Sequence, residues 1–395
     1  MPPVALLRTE NYDPTLLDDR VERLFALCGF DKLFTPGVKV LIKPNLLAPR
    51  RPDASITTHP ELVGAVARAL KRQGVTDILL ADSCGGLYTP ATLKILYAAT
   101  GMAEQAEREG FRLNFDTAAR KVSYPDGQRC KLFDIITPIL DADVVINVAK
   151  LKTHMMTGFS GAVKNMFGSV PGLLKPELHC RFGDKPAFGE MLTDLCQLVR
   201  PAVNFIDGVM AMEGNGPSGG TPRQARVLMA SKDPFALDIA ACSLIGLPVR
   251  QVPYLCAAID RGLCPADAAA LTLAGETPNS FGLHNFKKAK SNSGNFFEYT
   301  PRFMRGFLTK HMTPKPMIKA KSCIGCGKCA ESCPEHTISM DALSLVDHNK
   351  KTSSHRTRAT IHYDHCINCF CCHEMCPVKA VDIRRIRIFH FKSGA

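Results

Sequence analysis

Short runs of continuous apolar residues alternate with longer stretches whose apolar positions recur every three or four residues, and this pattern holds from the start of the chain to about Gly275. Residues 4–8 and 38–43 (Val38-Lys39-Val40-Leu41-Ile42-Lys43) read as short buried strands flanking a helix over about 14–29. Thr57-Thr58-His59-Pro60-Glu61 is a capping signature that opens a helix running to about Gln73, with Leu62, Val63, Val66, Ala69 and Leu70 on one stripe and Gly74 at its end. Residues 76–81 then form a buried strand that stops at Asp82-Ser83, and residues 143–148 form another. After an irregular stretch over 170–188, a helix around 189–199 leads to strands at 203–207 and 226–230, and Asp233-Pro234 opens a further helix. Strands of near-continuous Val, Ile and Leu separated by helices mark a sheet covered on both faces, so the pattern predicts an α/β domain with a mainly parallel sheet over residues 1–283.

Beyond that point the periodicity stops. Residues 284–316 form a connector in which Lys287, Lys288 and Lys290 precede Phe296, Phe297, Tyr299, Phe303 and Phe307. Residues 317–395 read as a small α+β domain dominated by two runs of the form C-x2-C-x2-C-x3-C-P. The first is Cys323, Cys326, Cys329 and Cys333-Pro334; the second is Cys366, Cys369, Cys372 and Cys376-Pro377. Three closely spaced thiolates grip three irons of a cubane, and the cysteine before proline ligates the other cluster. The expected ligand sets are therefore Cys323, Cys326, Cys329 and Cys376 for one 4Fe-4S cluster, and Cys366, Cys369, Cys372 and Cys333 for a second. Structural zinc and disulfides are the competing readings, but zinc sites arrive as two C-x2-C pairs rather than as two proline-terminated quartets. The motif resembles bacterial-type two-cluster ferredoxins.

Composition narrows the setting. Of 17 cysteines, eight belong to these motifs. Another eight are scattered through the long N-terminal part without metal-like spacing, and Cys371 lies between two expected ligands. That usage fits a reducing compartment. No apolar run reaches the length of a membrane helix, and the start lacks a charged segment followed by an apolar one, so a soluble cytoplasmic protein with no membrane partner is expected. The net charge of +12 is uneven: residues 1–283 hold 30 Lys and Arg against 29 Asp and Glu, residues 284–319 hold 8 against 1, and residues 320–395 hold 11 against 7. A basic connector with aromatics admits nucleic acid or an acidic redox partner protein, but solvated lysines beside packed aromatics are the stronger reading, and nucleic acid is the least favoured partner.

Candidate chemistry in the large domain centres on Lys150, Lys152 and His154, which alternate along an extended strand and so project to one side. The turn Gly158-Phe159-Ser160-Gly161 is expected to lead into a short helix with Lys164 in its first turn, followed by Asn165, and with its free amides facing an anion. Lys43 and Asn45 end one strand and His59 starts a helix, where ligands of open α/β sheets collect. Together these predict a cationic pocket for a carboxylate or phosphate. His154, Lys164 and His59 are the candidate catalytic groups; Lys43, Asn45, Lys150, Lys152 and Asn165 are the candidate substrate contacts. Asp82, Asp207 and Glu213 offer carboxylates at strand ends, although capping explains such residues equally well. The loop from Gly214 to Gly220 matches neither the P-loop nor the dinucleotide fingerprint.

The segments 39–45, 58–62, 143–154 with Lys164-Asn165-Met166-Phe167-Gly168, and Glu213-Gly214-Asn215-Gly216-Pro217 resemble the family called domain of unknown function 362 over most of residues 4–250. Members often carry a C-terminal two-cluster module, and the resemblance implies an iron-sulfur protein of anaerobic or low-oxygen metabolism without a settled reaction. A fainter resemblance is to nickel-dependent lactate racemases, in which a histidine is followed ten residues later, across a glycine-rich turn, by the lysine that holds a nickel-pincer nucleotide. His154 and Lys164 have that spacing. The resemblance implies an acid/base or ligand role for His154 and an anchoring role for Lys164. The chain departs from it in carrying the cluster module, and the racemases' other metal-binding histidine has no assigned counterpart. Three functions follow: an oxidoreductase that passes electrons through two clusters to or from an anionic small molecule or a further unidentified cofactor; a non-redox isomerase or lyase with structural clusters; or an electron carrier or assembly protein whose large domain docks a partner.

Overall fold

The computed structural model describes residues 1–289, 315–344, 355–367 and 370–384, and the chain divides into two compact units at Ala289/Lys290. The first unit is built on one mixed sheet. Its strands are β1 (Val4–Arg8), β2 (Lys39–Pro44), β3 (Asp77–Leu80), β4 (Arg112–Leu113), β7 (Val144–His154), β9 (Val203–Glu213), β10 (Thr221–Ser231) and β11 (Leu273–Gly275), in the order β11-β1-β10-β9-β7-β2-β3-β4. The run β9-β7-β2-β3-β4 is parallel throughout, while β1 and β9 pair antiparallel with β10. A further strand, β8 (Gly158–Ser160), folds back on the end of β7 as a tight hairpin. A separate hairpin of β5 (Ala119–Ser123) and β6 (Leu132–Ile136) stands outside the main sheet.

Both faces of the sheet are covered, as the unbroken apolar strands predict. On one face Val40, Ile42, Ile146, Val148 and Phe205 share a core with α1 (Pro14–Cys28) and α2 (Pro60–Arg72). On the other, Leu41, Val145, Ala149, Leu151 and Ile206 share a core with α8 (Lys185–Val199), α9 (Pro234–Leu244) and α10 (Pro253–Asp260). Local signals place these helices. Asp13 accepts from Leu16 N–H at 3.0 Å and Gly29 closes α1 in the left-handed region, while Asp233 accepts from Phe235 and Ala236 at the start of α9. The stretch over 170–188 is more regular than its glycines and prolines imply, since it contains α7 (Leu174–Arg181).

The first unit runs further than residue 283. Leu283 and Phe286 are buried in its core, and Lys287 binds Glu213 through both its backbone N–H (3.0 Å) and its ammonium (3.5 Å). The connector aromatics from Phe296 to Phe307 lie outside the described residues. Among the described residues no helix is long and apolar enough to cross a membrane. The thiols of Cys28, Cys84, Cys130, Cys196, Cys242 and Cys264 are buried, and burial pushes those of Cys28 and Cys264 up to about 12, so they behave as small apolar residues.

The second unit is small. Strand β12 (Lys315–Ile318) pairs antiparallel with β15 (Val381–Arg384), and β13 (Ile338–Ser344) pairs antiparallel with β14 (His355–Ile361). Two short helices, α11 (Lys328–Glu331) and α12 (Cys371–Met375), carry cysteines of the two motifs, and Cys329, Cys372 and Cys376 pack with Ile338, Ala359, Ile361 and Val381 in its core.

Candidate functional site

The carboxyl ends of the parallel strands bring the large unit's candidates together, but inward rather than toward solvent. Lys43 is fully buried and forms an ion pair with Asp82 at 2.7 Å. Lys150 is equally buried and pairs with Asp207 at 2.9 Å. Burial lowers both ammonium pKa values, and the facing carboxylate opposes that shift in each case. The two pairs fall on opposite faces, Lys150 with the α1/α2 core and Lys43 on the other side. The expected open wall of cations is therefore corrected: a lysine in a closed core keeps its proton only beside a carboxylate, and each of these strand-end acids is committed to one.

Around Asp207 the geometry is tight. One carboxylate oxygen accepts from the Tyr12 hydroxyl (2.7 Å); the other accepts from Lys150 Nζ (2.9 Å) and from the backbone N–H of His59 (2.9 Å). The His59 ring stacks on Tyr12 at 3.6 Å between centroids and 8° between planes. His59 is the N-cap of α2, its Nδ1 accepting from Glu61 N–H at 3.3 Å, so its ring proton sits on Nε2. Burial lowers its pKa from 6.5 to about 4, against the pull of Asp207. His59 is thus neutral near pH 7, a hydrogen-bond donor rather than a cation. The unfolded state then binds more protons than the native state between pH 6.5 and about 4, and stability falls as pH falls through that window. His59→Gln is expected to flatten this acid limb by up to about 3 kcal/mol, read from urea midpoints at pH 4.5 and pH 7.

A second network is a directional row of side-chain amides. Asn147 Nδ2 donates to Asn204 Oδ1 (2.9 Å), Asn165 Nδ2 to Asn147 Oδ1 (2.8 Å), Asn45 Nδ2 to Asn165 Oδ1 (2.8 Å), and Lys152 Nζ to Asn45 Oδ1 (2.7 Å). Lys152 also donates to the Ile56 carbonyl at 2.9 Å. The row starts from the register pair Asn147 and Asn204 on neighbouring parallel strands and ties the β2 end to α6 (Ala162–Asn165). Aligned donors and acceptors in a dry interior strengthen one another. Sequence reasoning named Asn45 and Asn165 but missed Asn147 and Asn204 as partners; amides on adjacent strand ends were the available signal.

The turn after β7 also differs from expectation. His154 is buried, and its Nδ1 accepts from the backbone N–H groups of Met156 (3.1 Å) and Thr157 (3.3 Å), which shapes the β7/β8 hairpin. Helix α6 is a single turn with Lys164 near its end, and its leading amides at Ala162 (2.6 Å) and Val163 (3.0 Å) donate to the buried carboxylate of Asp238. Burial raises that carboxyl to about 7. The proposed anion seat at the helix start is therefore filled by an acid of the chain itself. Lys164 is part-exposed and lies 5.4 Å from the Phe167 ring centroid. Among the named candidates, Lys164, Asn45 and His59 reach the surface in part, and Asn165, next to Lys164, is bonded to Asn45.

Lys175 carries no motif and was missed. Its buried ammonium donates to Ser83 Oγ (2.9 Å) and to the carbonyls of Cys84 (3.1 Å) and Val170 (2.6 Å), and burial lowers its pKa to about 7 with Lys43 and Lys164 adding to the shift. Gly168 packs against the neighbouring ion pair: a Cβ there would lie 2.0 Å from Asp82 Oδ1 and 2.5 Å from Lys43 Nζ. Gly168→Ala is expected to cost about 1–3 kcal/mol by overpacking, measured as a shift of the urea midpoint. Gly216 is constrained likewise, by Thr153 O at 1.9 Å, because the loop after β9 clasps the β7 end through Thr153 Oγ1 to Gly214 O (2.7 Å) and Met155 N to Gly216 O (3.0 Å).

In the small unit the cysteines ring two cavities. Cys323, Cys326, Cys329 and Cys376 line the first; Cys333, Cys366 and Cys372 line the second. Cys369 lies outside the described residues. In both rings the cysteine before proline comes from the other motif. Backbone N–H groups of Thr337 (3.4 Å) and Ala380 (3.1 Å) donate to the sulfurs of Cys333 and Cys376. Among the described residues no three Cys, His, Asp or Glu groups converge as around a single ion, yet cysteine side chains line each apolar-walled cavity, and cysteine sulfur is the donor that an iron-sulfur cubane takes.

Comparison with known proteins agrees with this division. Residues 40–243 match the family described as domain of unknown function (DUF362), and residues 322–380 match the 4Fe-4S dicluster domain. A thylakoid-associated protein of Synechocystis sp. is 34% identical over 292 residues, covering 72% of this chain and 87% of that protein. Among solved structures, the lactate racemase apoprotein of Thermoanaerobacterium thermosaccharolyticum aligns with a TM-score of 0.38 at 16% identity, over 62% of this chain and 57% of that one. A Thermotoga maritima protein aligns with a TM-score of 0.34 at 12% identity, over 55% of each. The chain thus spans little more than half of either structure's length, and neither likeness bears on the chemistry.

Proposed function

Because the chain belongs to the domain of unknown function 362 family and carries a 4Fe-4S dicluster domain, we propose that it is an oxidoreductase holding two 4Fe-4S clusters, which exchanges electrons between a redox partner protein and an anionic small molecule or further cofactor in the large domain. The observation that carries the reading is the sorting of the cysteines into two rings, each completed from the other motif. Cys323, Cys326, Cys329 and Cys376 would hold one cluster, and Cys333, Cys366, Cys369 and Cys372 the other. Each cluster, when bound, supplies a one-electron step, so two make a relay or a two-electron store.

In the large domain the bet falls on the groups that reach the surface. Lys164 attracts and polarises the anionic group, Asn45 orients it, and His59, neutral with its proton on Nε2, donates a hydrogen bond. Lys43, Lys150 and Lys152 act from behind, holding the strand ends rigid through Asp82, Asp207 and the asparagine row. The Synechocystis relative is named for its association with thylakoids; for this chain we propose a cytoplasmic location. The test is anaerobic reduction of the purified protein followed by a screen of carboxylate- and phosphate-bearing metabolites. A metabolite that reoxidises the protein, at a rate reduced by Lys164→Ala and His59→Gln, is the expected result. Reoxidation by none of them, with both variants silent in cells, would sink the proposal.

A further inference from the structure

The two cysteine motifs form an internal repeat whose backbones match and whose exposed side chains do not. With Cys323 set on Cys366, the same offset pairs Gly327 with Phe370 and His336 with Lys379, and all four residues have positive φ (73°, 63°, 49° and 52°). The same offset also pairs Thr337 with Ala380, whose N–H groups donate to Cys333 and Cys376 sulfurs. Left-handed backbone at a phenylalanine, a histidine and a lysine is uncommon, so its recurrence shows that the two halves repeat one conformation. Differences at paired exposed positions therefore distinguish the surroundings of the two cavities.

Most of those differences share one direction, with Asp341, exposed beside Met340 at the first cavity, the exception. Exposed Lys328 and Lys379 adjoin lining residues of the cavity ringed by Cys323, Cys326, Cys329 and Cys376, and exposed Lys321 lies two residues before Cys323; their counterparts are the buried Cys371 and the exposed His336 and Asp364. Val378, which lines the same cavity and is 41% exposed, answers to Glu335 in the other. Ile324, also lining the first cavity, is 61% exposed, against a half-buried Ile367. Glu331 and Glu374 are equivalent acids and cancel. Lys319 pairs with Asp382 at 3.4 Å and adds little. One rim is basic with two bare aliphatic side chains; the other carries two carboxylates at the matching places.

We propose that the rim of the cavity ringed by Cys323, Cys326, Cys329 and Cys376 is the docking surface for an electron-transfer protein with an acidic face, and that the rim around Glu335 and Asp364 is not. The proposal rests on the iron-sulfur reading above and names the partner's chemistry. Lysines around an apolar centre give long-range steering and a dry contact, the two properties that a brief electron-transfer encounter requires. One electron leaves the reduced holoprotein and reduces the acceptor; no bond is made and no co-reactant is consumed.

Flavodoxin, an acidic protein, is the probe. Anaerobically reduced full-length holoprotein is mixed with oxidised flavodoxin in a stopped-flow instrument at low and high salt. The second-order rate should fall as salt rises, and Lys321→Glu with Lys379→Glu should slow it about tenfold or more at low salt, at unchanged iron content. Glu335→Gln with Asp364→Asn should not slow it. Salt-independent transfer, or insensitivity to the lysine reversals, overturns the proposal. So does a finding that the reversals change sedimentation while flavodoxin reduction stays the same, because the rim is then covered by a second copy. A small neutral quinone separates the two levels. If the reduced protein passes electrons to the quinone but shows no charge effect with flavodoxin, only the docking inference falls; if it cannot reduce even the quinone, the redox reading falls and takes the docking inference with it.

Discussion

Asp207→Ala should lower the stability of the large unit by about 3–5 kcal/mol, the range for removing one partner of a buried ion pair. The substitution strips the acceptor from Tyr12, Lys150 and the His59 backbone at once, and it leaves Lys150 at 0% side-chain exposure with no carboxylate beside it. Lys150 then escapes by losing its proton. Burial already lowers its pKa and Asp207 is what opposes that. In the variant the unfolded state binds the proton and the native state does not, so stability rises with pH, and the loss should be larger at pH 6 than at pH 9. For a unit of this size the melting temperature should drop by roughly 5–8 °C. Asp207→Leu combined with Lys150→Met should recover only the part of the loss that comes from the unpaired lysine, because the Tyr12 hydroxyl and the His59 N–H still lack their acceptor. An unchanged urea midpoint for Asp207→Ala would show that the pair is not a buried interaction.

Cys376→Ser should behave as a lesion of the first motif although it lies in the second. Its sulfur lines the cavity of Cys323, Cys326 and Cys329, whereas Cys333 lines that of Cys366 and Cys372. Loss of one of four thiolates should remove or degrade that cluster, taking iron from about eight toward about four per chain. The expected phenotype of Cys376→Ser, in iron content and in the electron paramagnetic resonance of the reduced protein, is that of Cys326→Ser. Cys333→Ser should match Cys366→Ser. The opposite pairing, with each variant resembling others of its own motif, would mean that the motifs ligate contiguously and that the rings have been misread.

Sequence was most informative where the signal is local. The strand at 38–43 appears as Lys39–Pro44 and the helix at 14–29 as Pro14–Cys28, because apolar runs, caps and prolines act over a few residues. The cysteine spacing likewise shows which residues share a cavity, apart from Cys369, which is not described. The large unit's site was less legible, because its partners are far apart in the chain. Asp238 caps Ala162 and Val163 from α9, and Tyr12 meets Asp207 from the segment before α1. Nothing in the local pattern announces such pairs. Lysine misleads for a related reason: it is read as a surface residue, and only the fold shows that Lys43, Lys150, Lys152 and Lys175 are enclosed with their partners. The missed row from Asn204 to Lys152 depends on strand order, which no single strand encodes.

The reading as a two-cluster iron-sulfur protein stands or falls on the metal content of the protein purified and kept without oxygen. Iron and acid-labile sulfide should each approach about eight per chain, and chemical reduction should develop the magnetic resonance of two interacting reduced 4Fe-4S centres. Zinc in place of iron, or about four irons giving a single isolated centre, would contradict it.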